Sequence, residues 1–183
     1  MSNIALFLSK YKPLLHPYRD STMLMSLYMA NRRGALTFVE TGTARKDGDF
    51  YGDGQSTYIL GDYCKTILNN KGMCKKVTKE FSDNIEYVVS DSLLFLKGFE
   101  NKIDYLYLDS FDSSAGQEEE AALHNFEELK LALPNTHEST IIVIDDYHIS
   151  GKKGKGKYSV PHLIDNGWRL ANSTGFQAVL VRK

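Results

Sequence analysis

At 183 residues, with 42% hydrophobic and 25% charged side chains, the chain can bury one substantial core and is neither a disordered nor a fibrous sequence. A formal net charge of -1 excludes a global pull toward nucleic acid or an anionic membrane. Cys64 and Cys74 have neither CxxC nor metal-type spacing and read as reduced thiols, which suits a cytoplasmic protein.

In chain order, the apolar patch at 4–8 is too short for a membrane span and lacks the flanks of a signal peptide. It belongs to an expected N-terminal helical segment, 1–34, ahead of an α/β core at 35–183 in one domain. Residues 20–33 predict a helix capped by Asp20 or Ser21, with Arg32 and Arg33 on its C-terminal dipole and Gly34 ending it. Residues 36–40 predict a strand that dissolves into Glu40-Thr41-Gly42-Thr43 and a glycine-rich stretch. The next helix is expected at 56–70, with Ser56 as its N-cap. A further helix is expected at 74–81, a strand at 85–90, a short helix at 91–99 and a strand at 103–109. The amphipathic run 117–133 predicts a helix closed by Pro134, and 140–148 is the most apolar strand, ending in two adjacent acids. Residues 160–168 predict a helix stopped by Gly167, and the remainder a terminal hairpin.

Strands alternating with helices imply an open, mainly parallel α/β sheet with helices on both faces and an antiparallel C-terminal pair. In such sheets ligands bind beyond the carboxyl ends of the strands. Four of these ends carry unusual chemistry: 40–43, Ser90-Asp91-Ser92, Asp109, and Asp145-Asp146. Asp145-Asp146 has two readings. A strand end opening into a solvated turn is one; three oxygen ligands for a hard cation such as Mg²⁺, with Asp109 as the third, is the other.

This ordered set resembles the class I S-adenosylmethionine-dependent methyltransferases, from about Thr37 to the C-terminus, and in particular the small-molecule O-methyltransferases of the metal-dependent sugar and polyketide type. The resemblance implies a Rossmann-like sheet. Glu40, Thr41, Gly42 and Thr43 would hold the methionine end of the cofactor, with Ser56 opening the following helix. Asp91, with Ser92 beside it, would accept from the adenine amino group, and Asp109 would lie between cofactor and substrate. It also implies Mg²⁺ on Asp109, Asp145 and Asp146. Chemically, a cofactor bearing a sulfonium, an amine and a carboxylate needs acceptors near the cation and backbone donors for the carboxylate, which acids on a glycine turn supply.

Two departures stand out. The family's second strand, with its ribose-binding acid, has no counterpart in 66–81. Because a missing inner strand would expose edge hydrogen bonds, an omitted stretch near Gly72-Met73 is favoured over a true deletion. Where relatives carry an acidic base after the fourth strand, this chain has Ser113 and Ser114, leaving Asp112 and His148 as base candidates. His124 and Glu128, at i,i+4, read first as a helix-face contact.

The run 151–157, with four lysines and three glycines, reads as a solvated loop or as a lid whose lysines recognise an anionic substrate. The expected partner is a small molecule carrying a hydroxyl. Neither nucleic acid nor membrane is expected, and a homo-oligomer is compatible with the sequence. A noncatalytic binding module of the same fold, and a metal-dependent hydrolase, are the competing readings.

Overall fold

Alternation along three short apolar strands sets the architecture. In the computed structural model, which describes residues 3–42, 56–68, 86, 88–112, 116–147 and 154–183, β1 is Phe38–Thr41, β2 Tyr105–Leu108 and β3 Ile141–Ile144. Every residue of β2 and β3 is buried, as expected of strands covered on both faces. Tyr105, Tyr107, Ile141 and Val143 point into one core cluster, and Leu106, Leu108, Ile142 and Ile144 into a second. The first cluster is closed by α1 (Asn3–Tyr11), α2 (Pro17–Arg33) and α3 (Ser56–Thr66). The second is closed by α4 (Ser92–Gly98), α5 (Glu118–Ala132) and α6 (Gly156–Asp165).

Two C-terminal strands, β4 (Trp168–Ser173) and β5 (Ala178–Arg182), complete a five-stranded sheet of order β1-β2-β3-β5-β4. The first three strands run parallel, and β5 pairs antiparallel with both β3 and β4. This is the expected open α/β sheet with its antiparallel hairpin. Thr41, Leu108 and Ile144 lie in register, so the residues that follow them leave the sheet along one rim. Trp168 is fully buried, and the Arg182 guanidinium lies 4.6 Å over its ring, tying the two ends of the hairpin together.

Several expected boundaries move, each for a local reason. The second helix begins at Pro17 rather than near Asp20. The His16 side chain accepts from the Tyr18 N–H at 3.2 Å and proline supplies a helix-ready φ, so Asp20 falls in the first turn, where it favours the dipole. Gly34 ends this helix as expected, in the left-handed region with φ 68°. Pro134 ends α5 by opening a 3-10 turn over Leu133–Asn135. The last helix starts at Gly156, four residues early and inside the lysine-rich run. Of the strand expected at 85–90, the described residues Glu86, Val88, Val89 and Ser90 are exposed and form no strand. The helix expected at 74–81, Cys74 and the expected discontinuity near Gly72-Met73 lie outside the described residues. Among the described residues no helix is long and apolar enough to cross a membrane. Cys64 is a buried free thiol, and burial pushes it up to about 12, which leaves it inert.

Candidate active site

The rim of the sheet is tightest where β1 meets β2. Gly42 has φ +84°, and a Cβ there would stand 2.6 Å from the Asp109 carbonyl oxygen. Only glycine lets the two tips close; the Asp109 N–H reaches both the Thr41 carbonyl at 3.0 Å and the Thr41 hydroxyl at 3.3 Å. Gly42→Ala is therefore expected to lower stability by about 2–4 kcal/mol through strain and a backbone clash, read as a lower urea midpoint at unchanged slope.

Glu40 leaves β1 toward the start of α3. Its carboxylate accepts from the Ser56 hydroxyl at 2.5 Å, so Ser56, expected as a cap, instead serves the glutamate. Desolvation pushes the Glu40 carboxyl up to about 7, against the opposing hydrogen bonds of Ser56 and Thr57 and with a further push from Asp145.

Asp109, Asp145 and Asp146 come together, as expected, but with cations of the chain's own. Lys155, 1% exposed, puts its Nζ 2.8 Å from Asp109 Oδ1 and 3.2 Å from Asp146 Oδ2. From α2, Arg19 reaches Asp145 Oδ1 at 3.3 Å and Asp146 Oδ1 at 3.4 Å. The Tyr107 hydroxyl donates to Asp145 Oδ2 at 3.0 Å and accepts from the Gln177 amide at 2.7 Å. Desolvation alone would lower Lys155, but Asp109 and Asp146 outweigh it, so the lysine is held more firmly protonated than usual. Arg19 behaves likewise: burial opposes its charge, and Asp145 more than restores it.

Within the run 151–157, Lys155 is buried in ion pairs with Asp109 and Asp146, Lys157 stays at the surface paired with Glu119, and residues 151–153 lie outside the described residues. Against expectation, the acid triad does not fit a metal. Five of its six carboxylate oxygens are engaged by ammonium, guanidinium and phenol donors, and no group of three or more His, Cys, Asp or Glu among the described residues could hold an ion.

Beyond the triad, Asp91 caps α4 through Oδ1, accepting from the N–H groups of Leu93 at 2.9 Å and Leu94 at 3.1 Å, and is otherwise exposed. Ser92 lies 3.5 Å from Ser110, which brings the α4 start to the β2 tip, and 3.0 Å from His124 Nε2. Ser110 donates to Glu128 at 2.5 Å, and His124 lies 3.7 Å from the same oxygen. The hydrogen bond to Glu128 raises His124 above its ordinary range. Asp112 is exposed just past Phe111, whose φ is 60°. Thr43, Ser113, Ser114 and His148 lie outside the described residues, so His148 as base is not located.

Phe111 and Asp146, past the ends of β2 and β3, are the described non-glycine residues with positive φ, at 60° and 49°. Such conformations persist where surrounding contacts over-determine them, and they gather at functional sites. Sequence reasoning missed Arg19, Lys155, Tyr107 and Gln177. The glycines on either side of Lys155 were the available signal for it; nothing in the spacing marked the others.

No protein-family model matches the chain, and no curated protein matches it. Solved structures do. The O-methyltransferase from Bacillus cereus in complex with SAH matches 100% of this chain and 91% of its own length, at 13% identity and TM-score 0.53. The SAH-bound methyltransferase PaMTH1 from Podospora anserina matches 100% of this chain and 88% of its own, at 12% identity and TM-score 0.50. NSun6 from Pyrococcus horikoshii, solved with SFG, matches 86% of this chain at 14% identity and TM-score 0.56; the chain covers 51% of that protein's length. With an open sheet of this order, its antiparallel end and an acid-and-glycine rim at its strand tips, the chain has the class I methyltransferase fold, and within it resembles O-methyltransferases.

Proposed function

We propose that the chain is an S-adenosylmethionine-dependent methyltransferase acting on a hydroxyl of a small molecule. The observation that supports this reading most is the convergence of Glu40, Gly42, Asp109 and Ser92 on one rim. When bound, S-adenosylmethionine would supply an electrophilic methyl group on its sulfonium.

In this reading Glu40, Thr41, Gly42 and Thr43 hold the amino-acid end of the cofactor, with Ser56 fixing the Glu40 carboxylate. Asp91 and Ser92 take the adenine side, and Asp109 separates cofactor from acceptor. Asp112, exposed beside that position, is the described candidate for accepting the hydroxyl proton. Rate would come mainly from holding the acceptor in line with the sulfonium. The Mg²⁺ that the resemblance implies has no part in this reading, because five of the triad's six carboxylate oxygens already accept from Lys155, Arg19 and Tyr107.

Calorimetry with S-adenosylhomocysteine tests the proposal. Binding in the micromolar range, weakened at least about tenfold by Asp109→Asn, is the expected result. A folded protein that ignores the cofactor at millimolar concentration would instead be a binding module built on this fold.

A further inference from the structure

We infer that Lys155 is a tethered replacement for a divalent cation: the chain supplies from its own loop the positive charge that would otherwise come from a metal, and the site operates without one. The inference takes its meaning from the proposed methyl transfer, but its test does not depend on that reading.

The seat of this lysine is built. On its two sides, a Cβ on Gly154 would lie 2.0 Å from the Asp146 carbonyl oxygen, and a Cβ on Gly156 would lie 2.3 Å from the Tyr147 ring. Glycine at both positions lets the loop press flat against residues 145–147. The Lys155 N–H donates to the Asp146 carbonyl at 3.0 Å, and the Gly154 N–H to the Tyr147 carbonyl at 3.0 Å. From there the Lys155 side chain reaches the β2 tip, meeting Asp109 Oδ1 at 2.8 Å and the Asp109 carbonyl at 3.4 Å.

Magnitudes decide between ammonium and metal. A hard divalent ion needs several oxygens at roughly 2.0–2.6 Å around a single centre. Here the centre between Asp109 Oδ1 and Asp146 Oδ2 is taken by Lys155 Nζ, at 2.8 and 3.2 Å. The remaining Asp146 oxygen and both Asp145 oxygens are engaged by Arg19 and Tyr107. A dication placed there would meet an ammonium at contact distance and would have to strip these donors away. Lys155 and Arg19 together bring the two positive charges that one such ion would bring, and neither can dissociate.

The test titrates the full chain with Mn²⁺, followed by the loss of the free-ion electron paramagnetic resonance signal. Wild type is expected to leave Mn²⁺ free at millimolar concentration. Lys155→Met keeps the apolar stem and removes the charge, so it is expected to gain binding at least about tenfold tighter than wild type, near the millimolar range of sparse oxygen sites. Adding Asp109→Asn to that variant should abolish the gain. If Lys155→Met does not fold alone, recovery of its far-ultraviolet circular dichroism on adding Mn²⁺ or Ca²⁺ reports the same exchange of one cation for another. Wild-type Mn²⁺ binding that Asp109→Asn removes would overturn the inference. So would a folded Lys155→Met without gain, or one unfolded with and without metal. Each of these outcomes can occur with S-adenosylhomocysteine binding intact, so failure here is distinct from failure of the methyltransferase reading.

Discussion

Arg19→Met is expected to destabilise the protein by about 3–5 kcal/mol, because it takes a cation from the buried Asp145 carboxylate and from the half-buried Asp146 beside it. Asp145 is 2% exposed and Arg19 9%, so water cannot take over the lost role as it does for surface pairs. The guanidinium bonds Asp145 at 3.3 Å and Asp146 at 3.4 Å, and it also lies 4.9 Å over the Phe176 ring. Methionine keeps the stem against that ring, so the measured loss isolates charge from packing. Equilibrium urea unfolding of Arg19→Met, Asp145→Asn and the double variant closes a cycle. The double variant is expected to recover at least about half of the Arg19→Met loss, since the carboxylate left unpaired is then gone. A single-variant loss under about 1 kcal/mol would mean that the pair is as wet as a surface salt bridge.

Nothing in the sequence marks this ion pair, and the reason is physical. Arg19 and Asp145 are 126 positions apart, and no local rule relates the first turn of α2 to the end of β3. What the sequence does show is whatever local periodicity controls. β2 and β3 read as doubly buried strands because Tyr105–Leu108 and Ile141–Ile144 carry no charge, and both core clusters use them. The acid tips were legible for the same reason, since a carboxylate directly after an apolar run must lie at a strand end. What those acids face was not legible. A lysine between glycines reads as solvated by composition; only the close approach of Gly154 to Asp146 and Gly156 to Tyr147 makes it a buried cation. Ser56 illustrates a smaller failure of the same kind. A serine at a helix start ordinarily caps it, but here a partly desolvated glutamate is the better acceptor for its hydroxyl.

Glu40 gives a second large effect, with a sign opposite to that of an ordinary paired carboxylate. Its ordinary value is near 4.5 and its folded value is about 7, so between these limits the folded protein keeps a proton that the unfolded chain has released. Stability therefore falls as pH rises from about 4.5 to about 7 and is flat with respect to this group above that. Glu40→Gln fixes the neutral form and still offers an oxygen to Ser56. It is expected to be close to wild type at pH 4.5 and more stable by roughly 1–3 kcal/mol at pH 8, read from urea midpoints at the two pH values. A variant no more stable than wild type at pH 8 would show that Glu40 ionises in the folded state without a penalty. The same proton links stability to the proposed chemistry. A cationic cofactor beside Glu40 favours the ionised form, so S-adenosylmethionine should bind more tightly at pH 8 than at pH 6, with proton release on binding near pH 6.5. Calorimetry in two buffers of different ionisation enthalpy measures that release, and Glu40→Gln should abolish it. Burial holds the glutamate mostly neutral below about pH 7, so a cationic ligand is what would draw its charge out there.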